Sequence, residues 1–191
     1  MDCGGDSQVY FIINSGFPAG LWTGAVNPDW FDCNNWQNFK IKDVTTNVVV
    51  DQTATNDCEV GVTAGTAVCS TLALSSNSAA VKNLVVKNTS TLNVSGDVSI
   101  IKTVTNDNLS LSLLNTATFS CNNLTVTGTG PGLENAQFQN KFNTTTATIN
   151  GNLVLNTGAQ LDLTNTGNYG ILHLKGNYTT TDLESIFKQT N

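Results

Sequence analysis

Four short segments of the chain read as variants of one unit: Val68-Cys69-Ser70-Thr71-Leu72, Ala80-Val81-Lys82-Asn83-Leu84, Ser120-Cys121-Asn122-Asn123-Leu124 and Ile149-Asn150-Gly151-Asn152-Leu153. No other feature constrains the fold as much, because a repeated unit too short to enclose a core must bury its apolar edge against its neighbours. Brief apolar or alternating runs surround these units, at Val48–Val50, Leu72–Leu74, Leu84–Val86, Leu92–Val94, Leu109–Leu111, Leu124–Val126, Leu153–Leu155, Leu161–Leu163 and Leu172–Leu174. Each is a strand of a few residues with one face inward. Gly, Asn, Asp, Ser and Thr between them supply turns, and their uneven spacing predicts coils of unequal length.

Composition points the same way. Asn and Thr supply about fifty residues, charged residues only 12%, and arginine is absent. Strand and turn formers outnumber helix formers, which favours an all-β fold. The expected architecture is a right-handed parallel β-helix, or β-solenoid, with a β-sandwich as the alternative because its strand lengths and turn spacing overlap. The solenoid is preferred because units such as Asn156-Thr157-Gly158-Ala159-Gln160-Leu161 recur in one phase.

All three tryptophans lie in the first 45 residues. This divides the chain into a cap segment, 1–45, and solenoid coils, 46–191, with the array expected to continue past the last residue of this sequence. Thr181-Asp182-Leu183-Glu184 also has capping-box spacing, so a final helical turn competes with the start of another coil.

A formal charge of −6 and eight scattered lysines give no basic footprint for nucleic acid or anionic membrane. No stretch approaches the roughly 20 apolar residues of a membrane span. The start, Met1-Asp2-Cys3-Gly4-Gly5, lacks a basic region followed by an apolar one, so export would rest on a leader outside this sequence. Five cysteines with no CxxC and a single histidine argue against zinc. Cys3–Cys33 or Cys58–Cys69 can be disulfides with Cys121 a buried thiol, or the cysteines can serve as small core residues.

Trp22-Thr23-Gly24-Ala25-Val26-Asn27-Pro28-Asp29-Trp30, followed after four residues by Asn35-Trp36, resembles a motif near the start of β-solenoid regions in large secreted, adhesin-like surface proteins of the Bacteroidetes. Asp43-Val44 leading into Val48–Val50, a Cys-x-x-Leu unit and Asn-Leu coils continue the likeness. The resemblance implies a secreted or cell-surface adhesin or stalk module of a larger bacterial protein, without enzymatic activity, whose ligand would be a surface glycan or a protein. The sequence departs from the pattern in two places. An additional segment precedes Trp22, and Asp32-Cys33 replaces a Pro-containing turn, which suggests that Cys33 ties the extra segment down through Cys3.

Trp22, Trp30 and Trp36 have two readings. Each can bury roughly 150–250 Å² and seal the end of a narrow stack, or the three can form an aromatic platform for a sugar ring. A glycan-binding or polysaccharide-cleaving β-helix is the alternative function, and it requires clustered carboxylates. The acidic residues are spread along the chain; Asp97 and Asp162 could each lie on a coil face but show no pairing signal. His173, between Leu172 and Leu174, is expected to face outward. Asp51, Asp57 and Glu59 with Asn56 supply oxygens for a possible calcium ion, although no calcium-binding repeat is present; otherwise no cofactor is indicated. Thr-x-Thr patterns would organise water only if stacked regularly, and they do not recur evenly.

Overall fold

In the computed structural model, residues 20–38, 42–105, 107–130, 135–140, 144–165, 168–181 and 186–188 are described. The chain winds through three parallel sheets in turn. The first coil comprises β1 (Asn47–Asp51), β2 (Cys58–Val60) and β3 (Thr66–Cys69); the second, β4 (Thr71–Ser76), β5 (Leu84–Val86) and β6 (Thr91–Val94). The third comprises β7 (Val98–Lys102), β8 (Leu109–Leu113) and β9 (Thr118–Cys121); the fourth, β10 (Leu124–Thr127), β11 (Ala136–Asn140) and β12 (Thr146–Ile149). The fifth has β13 (Leu153–Leu155) and β14 (Ala159–Asp162), a small antiparallel hairpin of β15 (Thr164–Asn165) and β16 (Asn168–Tyr169), then β17 (Ile171–Leu174). Two further strands, β18 (Tyr178–Thr180) and β19 (Ile186–Lys188), open a sixth.

Sheet I stacks β1-β4-β7-β10-β13-β18, sheet II stacks β2-β5-β8-β11-β14-β19, and sheet III stacks β3-β6-β9-β12-β17. Every pairing within them is parallel, from Asn47 opposite Thr71 to Leu153 opposite Tyr178. The fold is therefore a β-solenoid of about five turns and not a sandwich, whose strands would pair antiparallel. Ile186–Lys188 pairs with Gln160–Asp162 as a strand; the capping-box residues before it lie outside the described residues.

Alternation along each short strand produces continuous core columns. In sheet I, Val48, Leu72, Val98, Leu124 and Leu153 form one and Val50, Leu74, Ile100, Val126 and Leu155 the next, all buried. Sheet III contributes Ala67, Leu92, Phe119 and Ala147, and Phe119 packs on Phe138 of sheet II with ring centroids 5.5 Å apart. All nine apolar runs supply strand residues. The strands β2, β3, β9, β11 and β12 carry weaker patterns, and tertiary stacking rather than local hydrophobicity places them.

Coils differ in length. In sheet I, Asn47 pairs with Thr71, Leu72 with Val98 and Leu124 with Leu153, each pair more widely separated in sequence than the one before it. The differences fall in the corners, where side chains hold successive coils together. Between sheets III and I, Asp97 Oδ1 accepts from the Asn123 backbone N–H (3.3 Å), Asn123 Oδ1 from that of Asn152 (2.7 Å) and Asn152 Oδ1 from that of Asn177 (2.9 Å). Three of the four repeated units, those ending at Leu72, Leu124 and Leu153, occupy this corner. The fourth, ending at Leu84, sits between sheets I and II, where Asp57 Oδ1 receives the Asn83 N–H and Asn83 Oδ1 the Ser110 N–H.

Core and corner contribute unequally. Leu124→Ala, which leaves a cavity in a sealed column, is expected to destabilise the protein by about 2–5 kcal/mol. Asn123→Ala, which removes one rung of the ladder, should cost about 1 kcal/mol. Urea unfolding of both variants checks the order; a larger loss for Asn123→Ala would contradict it.

Candidate functional site

The tryptophan segment was the strongest sequence-level site, and its backbone behaves as a partial coil laid on the first. Leu21 bridges Val49 and Asp29 bridges Glu59, both in parallel sense. Trp22 N–H donates to Val49 O (2.9 Å), Val49 N–H to Gly20 O (3.1 Å), Trp30 N–H to Glu59 O (2.9 Å) and Glu59 N–H to Pro28 O (2.7 Å). The free edges of β1 and β2 are thereby paired, which an exposed solenoid end requires.

Above this layer, Trp36 lies edge-on to both other rings, 4.9 Å from Trp22 at 77° and 4.7 Å from Trp30 at 79°. Lys42 Nζ stands 5.1 Å from the Trp36 ring centroid. Trp22, Trp30 and Trp36 are 0%, 0% and 1% exposed. In this geometry none of the three rings offers an accessible face on which a sugar could stack. Trp36 Nε1 donates to Trp30 O and Trp22 Nε1 to Asn56 O, while Trp30 Nε1 is buried without a partner.

Asn35, fully buried, is the polar hub of this cap. Its Oδ1 accepts from the N–H groups of Val26 (2.9 Å) and Asn27 (3.1 Å), and its Nδ2 donates to Asn27 Oδ1 (2.8 Å) and Asp29 O (3.0 Å). Asp32 caps the short 3₁₀ turn Cys33–Asn35, and the Asn34 N–H holds its carboxyl below the ordinary range, against partial desolvation. Gly24, at φ +54°, lets the chain approach Asn56, whose Nδ2 donates to Gly24 O (2.6 Å); a Cβ there would meet Asn56 O at 2.7 Å. In the sequence Asn35 stands out only as the neighbour of Trp36; nothing local announces that its amide is enclosed.

The structure separates the other candidates. Asp51 Oδ1 accepts from Thr53 N–H (2.8 Å), Asp57 Oδ1 from Asn83 N–H (3.0 Å), and Glu59 is ion-paired with Lys87. Among the described residues, no group of three or more His, Cys, Asp or Glu side chains is placed to hold a metal ion. Asp97 belongs to the corner between sheets III and I and Asp162 to sheet II, on different sides of the stack. His173 is exposed between two inward leucines.

Cys58 and Cys69 are free, buried thiols on separate strands, not a disulfide. Burial pushes Cys69 and Cys121 up to about 12 and Cys58 well above its ordinary value, where Asp57 and Glu59 add to the effect. These are core residues with little thiolate character. Cys33 is disulfide-bonded; Cys3, the partner suggested by the sequence, lies outside the described residues.

A second feature went unread in the sequence. At the corner leaving sheet I, Asp51, Gln52, Ser75, Ser76, Asn77, Ile101 and Thr103 line a concavity of about 220 Å³. Lys102 is wholly buried at this corner, its Nζ donating to Ser76 Oγ (3.2 Å) and Ser78 O (2.5 Å). Desolvation lowers its pKa, and Asp107 partly offsets that shift. Ser76 Oγ in turn reaches Ala80 O (2.7 Å), so a buried cation fixes the loop after β4. In sequence, Lys102 reads only as the polar end of an apolar run.

Two expectations follow from the cap and the thiols. Asn35→Ala, which leaves two backbone N–H groups of the cap unpaired, should destabilise the protein by about 2–4 kcal/mol and red-shift the tryptophan emission. Exposed Asn34→Ala should do neither; equal behaviour of the two variants would refute the hub role. At pH 8 a thiol reagent should modify none of Cys58, Cys69 and Cys121 in the folded protein and all three in denaturant, and fast native labelling would show the thiols to be accessible. Comparison of the chain with protein-family models, curated proteins and solved structures yields no match.

Proposed function

We propose that the chain is a rigid, non-enzymatic module of a secreted or cell-surface bacterial protein, serving as an adhesin or stalk segment of the kind the Trp22–Trp36 motif resembles in the Bacteroidetes. The observation that carries this reading is the stacking of six strands in sheet I, partner for partner, beneath an end layer sealed by three buried tryptophans. Each coil is hydrogen-bonded to the next along three sheets, so the stack has no flexible joint at which to bend. Such a body holds whatever it presents at a fixed distance and orientation. The outward columns of sheet III, Thr66-Thr91-Thr118-Thr146-Ile171 and Val68-Asn93-Ser120-Thr148-His173, hold no acidic side chain and no lysine, which suits contact with neutral extracellular ligands, glycan or protein.

Antibody raised against the purified module should label intact cells of the source bacterium, and deletion of the coding segment should reduce attachment to surfaces. Labelling that appears only after lysis would sink the surface assignment.

A further inference from the structure

The concavity at the corner of sheets I and II joins three properties. It is recessed, it carries unspent hydrogen-bonding groups, and it includes an exposed apolar side chain. Asp51 uses Oδ1 for the Thr53 N–H and hydroxyl, leaving Oδ2 open. Gln52 Oε1 accepts the Asn77 N–H at 3.3 Å, and both residues line the recess with carboxamide groups that can still donate and accept. Ile101, 37% exposed, provides an apolar patch beside them.

We propose that this corner is a binding subsite for one ring of a neutral pyranose, a deepening of the surface-adhesin reading and resting on it. Vicinal sugar hydroxyls are paired donors and acceptors. A carboxylate oxygen that accepts and carboxamides that both accept and donate match them, while Ile101 covers ring C–H groups. The volume of about 220 Å³ is below the roughly 300–1,000 Å³ of sites for larger ligands and suits a single ring. An anionic sugar is disfavoured by Asp51. The corner is also pre-set: Lys102 ties Ser76 and the Ser78 carbonyl from behind, and Thr103 N–H donates to Ser76 O at 3.0 Å, so little ordering is required on binding.

The test is a ¹⁵N–¹H NMR titration of the whole protein with glucose, galactose, mannose and N-acetylglucosamine in turn. At least one sugar is expected to give saturable shifts centred on Gln52, Asn77, Ile101 and Thr103. Asn77→Ala should weaken that affinity about tenfold, as should Asp51→Asn, which retains the oxygen that Thr53 uses. Both variants should melt with the parent. No saturable shift with any of the four sugars overturns the proposal, as do shifts centred elsewhere or undiminished in both folded variants. Cell-surface labelling is read separately, so a module that labels intact cells yet ignores all four sugars would fail this inference alone.

Discussion

Everything in this molecule depends on one coil lying on the next with its strands in register. A three-residue strand such as Cys58–Val60 or Leu153–Leu155 has no stability of its own. It becomes a strand because the coils on either side supply its hydrogen bonds and cover its two inward side chains. Register would fail if the differences in coil length fell within the sheets. They fall in the corners, and the corner asparagines tolerate them. An Asn or Asp oxygen that accepts the next coil's backbone N–H satisfies a donor at the point where the chain leaves the sheet ladder. The sequence Asp97, Asn123, Asn152, Asn177 repeats this at one corner over four coils. The abundance of asparagine therefore reflects coil-to-coil locking as well as turn preference.

The same dependence makes the first layer a distinct problem. An inward side chain is sealed only when a neighbour lies on each side of it along its column. In the first sheet-I column every residue from Val48 to Leu153 is no more than 1% exposed, whereas Tyr178, with a described neighbour on one side, is 46% exposed. At the other extreme, Val48 and Val50 are sealed because the tryptophan layer stands where a preceding coil would. Aliphatic side chains of a single partial coil could not span that opening. Three indoles packed edge to face can; the Trp22 and Trp36 N–H groups find partners in the Asn56 and Trp30 carbonyls, and Asn35 satisfies the surrounding backbone.

The fold class and this cap were legible because both rest on strong local signals. Repeated Asn-Leu units carry the solenoid, and three closely spaced tryptophans carry the cap. The register was not legible: the Ala80–Leu84 unit resembles its three relatives but turns a different corner, since the residues that dictate a tight turn before an inward leucine are the same at any corner. Cys58 and Cys69 have disulfide-compatible spacing, yet alternation turns both into the core as separate small side chains. Lys102 and the concavity near it could not be read at all. They are assembled from Asp51, Asn77 and Thr103, which belong to successive coils and become adjacent only after stacking.

Stacking also explains where charge is found. Equivalent residues of neighbouring coils lie about 4.8 Å apart, and two like charges at that distance repel by about 1 kcal/mol even in water and by more near a protein surface. A charge repeated down an outward column would accumulate that cost at every step. The outward columns of sheet III accordingly hold Thr, Val, Asn and Ser, with Ile171 and a single His173 in the last coil, bridged where they can be, as by the Thr91 and Thr118 hydroxyls at 2.7 Å. Ionised groups survive where a neighbouring coil supplies the opposite sign, as Lys87 does for Glu59, or at corners where uneven coil lengths break the repeat, as at Asp51, Asp97 and Lys102. The geometry that makes the body rigid thus confines its most polar chemistry to the corners, which is where the sheet I–sheet II recess has formed.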